Sequence, residues 1–388
     1  MIPNHVDIAV VGGGPVGAIL ALSLKDSGLS VIVLESQDQF ASERDPRTLA
    51  LSYGSKLLLE RLGVWQKLSE PTAIETIHVS QRGGFGRAIL SAHETGVPAL
   101  GYVVNYGALA SALREAIAAS GVQFVTGASV ESIDVSSAYG VAEFLHEGQR
   151  HAITAKLLAV ADGGRSVGMV KNVARQVREY GQTAVVCQVM TDQPHHNIAY
   201  ERFTPSGPAA LLPSGAGYAL VWTIQPDTAG EICELDDEAF LERLQKHFGH
   251  RAGTFVSAGK RSSFPLSLQY AKPTTTQRTV LIGNAAQMLH PVAGQGFNMG
   301  LRDAWELAQV IASSPKETIG DAAMLERYRQ SRKTDTLGGV MFTDFLVRGF
   351  SNDIPPLQRG RGLALAALDI LPPLKNFVAR KMIYGARG

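Results

Sequence analysis

Gly12, Gly14 and Gly17 stand in GxGxxG spacing in the run DIAVVGGGPVG, and Glu35 ends the next apolar run, SVIVLE, 18 residues after the last glycine. Each position has its own physical task. Gly12 permits a tight turn, Gly14 lets the backbone approach a pyrophosphate, and Gly17 lets a helix pack closely on the sheet. The N-terminus of that helix offers unpaired N–H groups to phosphate oxygens. The Glu35 carboxylate can accept hydrogen bonds from ribose hydroxyls. A lone glycine fingerprint is a weak signal, but here strand, turn, helix, strand and acid follow in order. Together they predict a dinucleotide cradle without deciding between a nicotinamide and a flavin.

Two later stretches bear on that choice. In AVADGGRS, Asp162 and Gly163 follow an apolar strand, and in LIGNAAQMLHPVAGQGFNMGLRDA another strand delivers Asn284 to its carboxyl end. Beyond it, PVAGQG reads as a glycine-permissive loop leading into a helix that starts near Asn298 and continues through MGLRDAWELAQVI. A helix N-terminus there is suited to hold the negative charge that develops on a reduced flavin. His290 precedes Pro291 and this loop, which makes it the candidate acid–base residue; positioning the loop is its alternative role. Asp162 has a plainer reading too, since Asp-Gly is a common turn.

The elements that must position these residues follow from periodicity. DIAVVG, AILALSLKDSG closed by Gly28, and SVIVLE make a β–α–β unit, and buried strands alternating with helices imply a parallel sheet. SYGSKLLLERLGVWQKL reads as a helix, ETIHVSQRGG as the start of an antiparallel strand, and GALASALREAIAASG as a helix ended by glycine. VQFVTG, VESIDVSS and KLLAVADG read as strands. From Tyr180 to Leu268, alternating stretches such as AVVCQVMT, NIAYERFT and YALVWTIQ, broken by Pro and Gly, predict an antiparallel sheet. The parallel-type pattern returns at RTVLIGNAAQ. The fold expected is therefore α/β, with a discontinuous Rossmann-like parallel sheet over 1–75, 100–179 and 269–341 and an inserted antiparallel-sheet substrate domain over 76–99 and 180–268. A C-terminal helical tail is expected over 342–388, where PPLQRGRGLALAALDILPPLKNF reads as one or two helices with proline stops.

Bulk properties narrow the classes of function. The 388 residues are 45% hydrophobic and 18% charged, enough apolar material for a sizeable core. With 36 Lys plus Arg against 35 Asp plus Glu, the net charge of +1 gives no electrostatic case for a nucleic acid partner. Cys187 and Cys233 stand in no CxxC or Cys/His spacing, and the adjacent His195 and His196 cannot both point at one metal from a helix face. Neither a disulfide framework nor a metal site is expected, and a reducing cytoplasm fits best. Ile8 to Leu24 is uncharged and nearly long enough to suggest a spanning helix, but GGGPVG breaks it. The apolar LALAALDILPPL is a candidate for membrane-surface or partner contact, with an ordinary buried helix as the alternative.

GGGPVG, ADG, and GN followed by HPVAGQGFNMGLRD together resemble the FAD-dependent aromatic hydroxylase superfamily. HPVAGQGFNMGLRD and DPRTLALSYGSKLLLERLGVW are similar to its ubiquinone-biosynthesis branch, and the resemblance covers nearly the whole chain. GNAAQ in place of the commoner GDAAH, with ERFTPSGPAALLP and GKRSSFPL, resembles the members that act on 2-polyprenyl-6-methoxyphenol. The resemblance implies FAD as the cofactor, with Glu35 at the adenosine ribose and Arg47, with Arg44, near the pyrophosphate. It implies Asn105 at the flavin from a helix start, Val130 where the backbone meets adenine, and Asp162 reaching the dinucleotide, although the arginine often found downstream of that motif is absent. Asn284 takes the place of the acid that binds the ribityl chain. Gly12, Gly14, Pro15, Gly17, Gly283, Pro291, Gly294, Gln295, Gly296 and Asn298 complete the implied cofactor site, while Arg202 and Phe203 on the antiparallel sheet are implied to shape the substrate pocket. Solvated loop charges at Arg44 and Arg47, and an ordinary strand pair at Arg202 and Phe203, are the plainer readings.

In the chemistry so implied, reduced flavin and oxygen form a flavin hydroperoxide that passes an OH group to an electron-rich phenol ring, so the protein mainly orients and excludes water. The substrates implied are a polyprenylated phenol and molecular oxygen. Electrons would come from a transiently bound reduced nicotinamide or a reductase, because RGGFGRA lacks the preceding buried strand of a second fingerprint. Other ubiquinone-biosynthesis proteins as partners, and a peripheral place at the inner membrane, are implied as well. The rival readings are a sister hydroxylase acting at another ring position, a reductase or halogenase on the same fold, and a flavin-poor scaffold subunit, which the uncharged Asn284 keeps open.

Overall fold

Four apolar strands end side by side, and that coincidence creates the site. The computed structural model describes residues 2–37, 45, 47–290, 294–350 and 355–387. Thr279–Leu281, Gln149–Val160, His5–Val11 and Val31–Leu34 lie in that order, all parallel, with Gln123–Val125 parallel on the outside. Their last three or four residues are buried, as strands covered on both faces must be. The register sets Val11 opposite both Leu34 and Val160, and Val160 opposite Leu281. Gly12, Glu35, Asp162 and Gly283 therefore emerge at one edge, the carboxyl edge where open parallel sheets bind ligands. Helices Pro15–Ser23, Tyr106–Ser120 and Gln295–Ala312 pack on this sheet through a core that includes Ile8, Leu20, Leu113, Leu301 and Leu307.

Several elements differ from their sequence expectation for local reasons. The helix expected over 52–68 stops at Arg61, because Gly63 takes φ +71° and the Val64 N–H turns back to the Leu59 carbonyl, leaving a separate 3-10 turn at Trp65–Lys67. The helix expected to start near Asn298 begins at Gln295, with Gly294 in the left-handed region (φ +61°) at its cap. RGGFGRA is the turn of a hairpin between Thr76–Gln81 and Arg87–Ser91, and Gly86 packs so tightly on Gly362 that a Cβ would lie 2.2 Å from its carbonyl oxygen.

The second sheet has nine strands, among them Ser262–Lys272, Ala174–Thr191, Gly217–Ile224, Gly207–Ser214, Ile198–Thr204, Thr76–Gln81 and Arg87–Ser91. Its strands cross the expected boundaries at 180 and 268, since Ala174–Thr191 and Ser262–Lys272 pair along most of their length. Antiparallel pairing prevails with one exception: Thr76–Gln81 runs parallel to Ile198–Thr204, because two separate chain segments meet there. One face of this sheet is covered by helices Pro226–Glu234 and Asp237–Phe248 around Trp222, Phe240 and Phe248. The other face meets the C-terminal helices through Phe203, Phe350 and Leu365. Phe342, expected to open the tail, lies inside the long helix Ala322–Phe350; helices Pro355–Ile370 and Pro372–Tyr384 follow.

A buried charge network joins the parallel sheet to that long helix. Asp303 accepts from the Gly283 N–H at 3.1 Å and from Gln287 Nε2 at 2.7 Å, and pairs with Arg332 Nε at 2.7 Å. Arg332 also holds Asp335, which pairs in turn with Arg302. Removing one partner of a buried pair leaves an uncompensated charge. Asp303→Ala is expected to cost roughly 3 to 5 kcal/mol, measured by urea unfolding, and to loosen the Gly283 turn.

Candidate functional site

At the carboxyl edge the glycine turn is held from three sides. Gly12 has φ +101°, and a Cβ there would lie 2.5 Å from Asp162 Cα; at Gly13 it would lie 2.3 Å from the Phe124 ring, and at Gly17 2.0 Å from the Gly12 carbonyl oxygen. Gly14 alone of the four has no atom within 4 Å of that position, so its bare backbone opens onto free space. Glu35 braces the turn from the next strand, accepting from the Gly13 N–H at 2.7 Å and the Gln37 N–H at 2.9 Å. Its two oxygens keep lone pairs for further donors.

The space in front of Gly14 is one end of a cavity of about 900 Å³, large for a ligand pocket. Gly12, Gly14, Pro15, Glu35, Arg47, Asp162, Gly283, Asn284, Gly294 and Gly296 all border it, from five separate segments of chain. Arg47 is held by Asp45 at 2.6 Å and stacks 4.9 Å from the Tyr106 ring centre. The Asp162 carboxylate is spent on its own turn, accepting from the Gly164 N–H at 2.9 Å and the Ser166 N–H at 2.7 Å. Asn284 exposes its side chain, with no hydrogen-bond partner among the described residues. At the N-terminus of helix Gln295–Ala312, Gly294, Gly296 and Phe297 face the same cavity.

The remaining expected residues fall elsewhere. Asn298 is buried and uses its whole side chain as a lock: its Oδ1 accepts from the Ser52 N–H and the Ser55 hydroxyl, and its Nδ2 donates to the Ala50 and Gly294 carbonyls. It fixes the loop rather than lining the cavity. Gln295 is buried beside a smaller hollow behind that loop, and Gly17 serves packing alone. Asn105 caps helix Tyr106–Ser120 by accepting from the Ala108 N–H at 3.1 Å, and it is Tyr106 that borders the cavity. Val130 packs in the sheet's second core opposite Phe144, off the cavity wall. His290 is buried, edge-on to Tyr180 at 5.5 Å and outside the wall, and burial pulls its imidazole down to about 4. A neutral ring in that place is suited to packing. Arg44 and Pro291 lie outside the described residues.

The far end of the cavity is floored by the nine-stranded sheet. Arg202 and Phe203, expected together, point to opposite faces because strand side chains alternate. Phe203 faces the cavity and packs 4.3 Å from the Phe350 ring. Arg202 shares the register of Ala209 and Trp222 on the face covered by Asp237–Phe248. Glu201, which the sequence reading passed over, has the parity of Phe203 and borders the cavity. The residue is half-buried on the cavity wall, and desolvation there pushes its carboxyl up to about 7. Of the wall's four carboxylates, Glu35, Asp45 and Asp162 are hydrogen-bonded; among the described residues Glu201 has no partner. The roof over this floor is apolar: Phe342, Phe345, Leu346 and Phe350 from one helix, Ala364, Leu365 and Leu368 from the next, and Val378 and Met382 from the last.

The cradle at Gly14 and the open amide of Asn284 fit the diphosphate and ribityl parts of FAD. Residues 5–338 match the family model of the FAD binding domain. A ubiquinone hydroxylase, UbiL, of Rhodospirillum rubrum is 34% identical over 96% of this chain and 88% of its own length. The 3-demethoxyubiquinol 3-hydroxylase of Escherichia coli is 32% identical over 97% of this chain and 98% of its own. Among solved structures, p-nitrophenol 4-monooxygenase PnpA from Pseudomonas putida superimposes with a TM-score of 0.80 over all of both chains at 19% identity, a likeness of fold.

Two glycine substitutions separate ligand space from chain packing. Gly14→Glu is expected to fold but purify colourless, because bulk and negative charge enter the diphosphate space. Gly12→Ala is expected to lower the melting temperature with or without FAD, since it meets Asp162 backbone at a positive φ. Flavin absorbance and thermal melts of both variants check this; a yellow Gly14→Glu protein would refute the cradle assignment.

Proposed function

Because the chain belongs to the FAD binding domain family and is an FAD-dependent aromatic-ring hydroxylase, we propose that its substrate is a polyprenylated phenol of ubiquinone biosynthesis, of the 2-polyprenyl-6-methoxyphenol type. The observation that carries this reading is the continuity of the cavity: one void runs from the dinucleotide cradle, over the sheet floor, to an apolar passage between the C-terminal helices. Phe345 both borders the cavity and is 64% exposed, so the passage reaches the surface there. A small phenol needs no such passage; a phenol with a long hydrocarbon tail does. The names of the related hydroxylases support the same substrate class.

Bound FAD, once reduced, supplies with molecular oxygen the oxygen atom inserted into the ring. The chain's own residues do the rest. Gly14 and the start of helix Pro15–Ser23 receive the diphosphate, Glu35 the ribose, and Asn284 the ribityl chain. The backbone N–H groups at the start of helix Gln295–Ala312, which borders the cavity, would stabilise negative charge on a reduced flavin held there. The sheet floor and apolar roof keep water from the reacting atoms. Electrons come from a reduced nicotinamide that binds transiently or from a reductase.

The tail passage leads to an apolar elbow. The segment Arg359–Ile370 and helix Pro372–Tyr384 meet at 94°, and no single helix of the described residues is long and apolar enough to cross a membrane. At the elbow Ile370, Leu371, Leu374 and Phe377 are exposed, with Ile370 at 73%, and Arg380 is exposed nearby. An apolar ridge with a flanking cation is the composition of a segment that lies in a membrane surface. In this reading the elbow docks on the bilayer that holds the substrate and passes the phenol inward.

Purified protein with FAD, a reductant and a prenylated methoxyphenol is expected to consume oxygen in a substrate-dependent way and add one ring hydroxyl, detected by mass spectrometry. Absence of hydroxylation with every prenylated phenol, by a protein that holds FAD, would refute the substrate. The double variant Ile370→Asp, Phe377→Asp is expected to weaken sedimentation with anionic vesicles by about tenfold, or ~1.4 kcal/mol, while leaving turnover of a short-tailed phenol intact. Unchanged vesicle binding would remove the elbow from the proposal.

A further inference from the structure

We propose that Glu201 is the residue that receives the phenol hydroxyl, accepting its O–H hydrogen bond and so fixing which ring carbon meets the oxygen donor. The inference rests on the phenol-hydroxylase reading above and assigns a residue within it.

The geometry is that of a platform with one polar point. Strand pairing sets Val79, Glu201, Ala210 and Val221 in one row across four strands, and all four border the cavity. Three are apolar and Ala210 is small, so a flat ring can lie over the row. Phe203, two residues along the same face, adds an aromatic edge. Over the floor and roof, Glu201 is the one charged side chain among the described residues; the other acids and the arginines of the wall, Arg47 and Arg165, stand on the dinucleotide side. Burial alone accounts for the raised value of Glu201, with no contribution from a neighbouring charge. A half-buried carboxyl with no partner among the described residues is costly to the fold, and its place on a substrate floor is where such a cost has a use.

The chemistry follows from the match of proton affinities. A phenol resembling tyrosine releases its proton near pH 10 and an ordinary glutamate near 4.3, a gap of about 6 units. A glutamate titrating at about 7 narrows that gap to about 3. The hydrogen bond therefore draws the phenol proton toward Oε and pushes oxygen lone-pair density onto the ortho and para carbons. If the proton crosses as a ring carbon forms its C–O bond and the oxygen donor's O–O bond breaks, Glu201 returns it to the same phenol oxygen when that carbon sheds its own hydrogen as a proton, and the shed proton neutralises the oxygen left on the donor. The carboxylate is regenerated and no net proton is kept.

Glu201→Gln, which keeps size and removes the acid, tests this in the holoenzyme. Bound FAD is expected to be unchanged, KM for the prenylated methoxyphenol to move little, and kcat to fall by about 10²-fold. The wild-type kcat is expected to rise as pH passes 7, and the variant's profile to be flat there. Glu201→Asp is expected to recover part of the rate. A second arm needs neither FAD nor substrate. A carboxyl whose value is raised on folding loses stability as pH climbs from its ordinary range through 7, so the variant's gain in melting temperature over wild type should be clearly larger at pH 8 than at pH 5. A variant with wild-type kcat and pH profile, or with no larger gain at pH 8 than at pH 5, overturns the assignment. If wild type itself hydroxylates no prenylated phenol, the substrate reading falls instead, a result told apart because the thermal arm does not depend on it.

Discussion

The Asp303 carboxylate is the constraint on which the site depends. It sits in the middle of the helix whose N-terminus faces the cavity, and it takes the Gly283 N–H, the Gln287 amide and the Arg332 guanidinium at once. The strand end that carries Asn284, the helix whose N-terminus borders the cavity and the long helix that begins the apolar roof are thereby one body. Burial works against the Asp303 charge, and the Arg332 charge beside it together with two neutral donors oppose that cost. Such a network is a poor source of net stability compared with an apolar core. Its value here is geometric, because it leaves few ways to seat the three elements relative to each other.

Asn298 does the same for the loop one turn earlier. Four hydrogen bonds from one side chain fasten Gly294 to the strand at Ala50 and Ser52. The two locks lie five residues apart on one helix, so the loop between Asn284 and Gly296 is pinned at both ends by buried polar contacts. That is how a glycine-rich stretch, whose chain entropy would otherwise let it wander, can present backbone N–H groups in a fixed place.

The parts legible in the sequence were those whose requirements are local. A glycine that must turn at positive φ or admit a close neighbour leaves its mark at its own position, so the tight turn at Gly12 and the close packing at Gly17 are legible in the spacing. Side-chain direction is not local in that sense. The family resemblance implies Asn105 at the flavin, yet its amide oxygen caps the helix it opens and Tyr106, not Asn105, borders the cavity. Asn298 and Gln295 stand in the same loop motif as Gly294 and Gly296, but a helix start divides its residues between cavity and core. On the strand Ile198–Thr204, period-two alternation already forbade Arg202 and Phe203 from sharing a pocket. The same rule pairs Phe203 with Glu201, a signal present in the strand's alternation.

The uncharged Asn284 looks at first like a loss of cofactor affinity, and the structure gives reason to read it otherwise. Its turn abuts the Asp162 loop closely: a Cβ on Gly164 would lie 3.4 Å from the Asn284 carbonyl oxygen. Asp303 lies just beneath, bonded to the preceding Gly283 N–H. Asp303 is already paired with Arg332 and Arg175 donates to the Gly164 carbonyl beside this corner, but a carboxylate at position 284 would still face a ligand that brings a negatively charged diphosphate. Like charges brought together in a closing cavity each become harder to keep ionised. An amide avoids that repulsion while offering a donor as well as an acceptor to ribityl hydroxyls. The position therefore trades the strength of a charged hydrogen bond for a neutral site between two fixed acids, which is compatible with holding a flavin and removes the main physical ground for treating the chain as a scaffold alone.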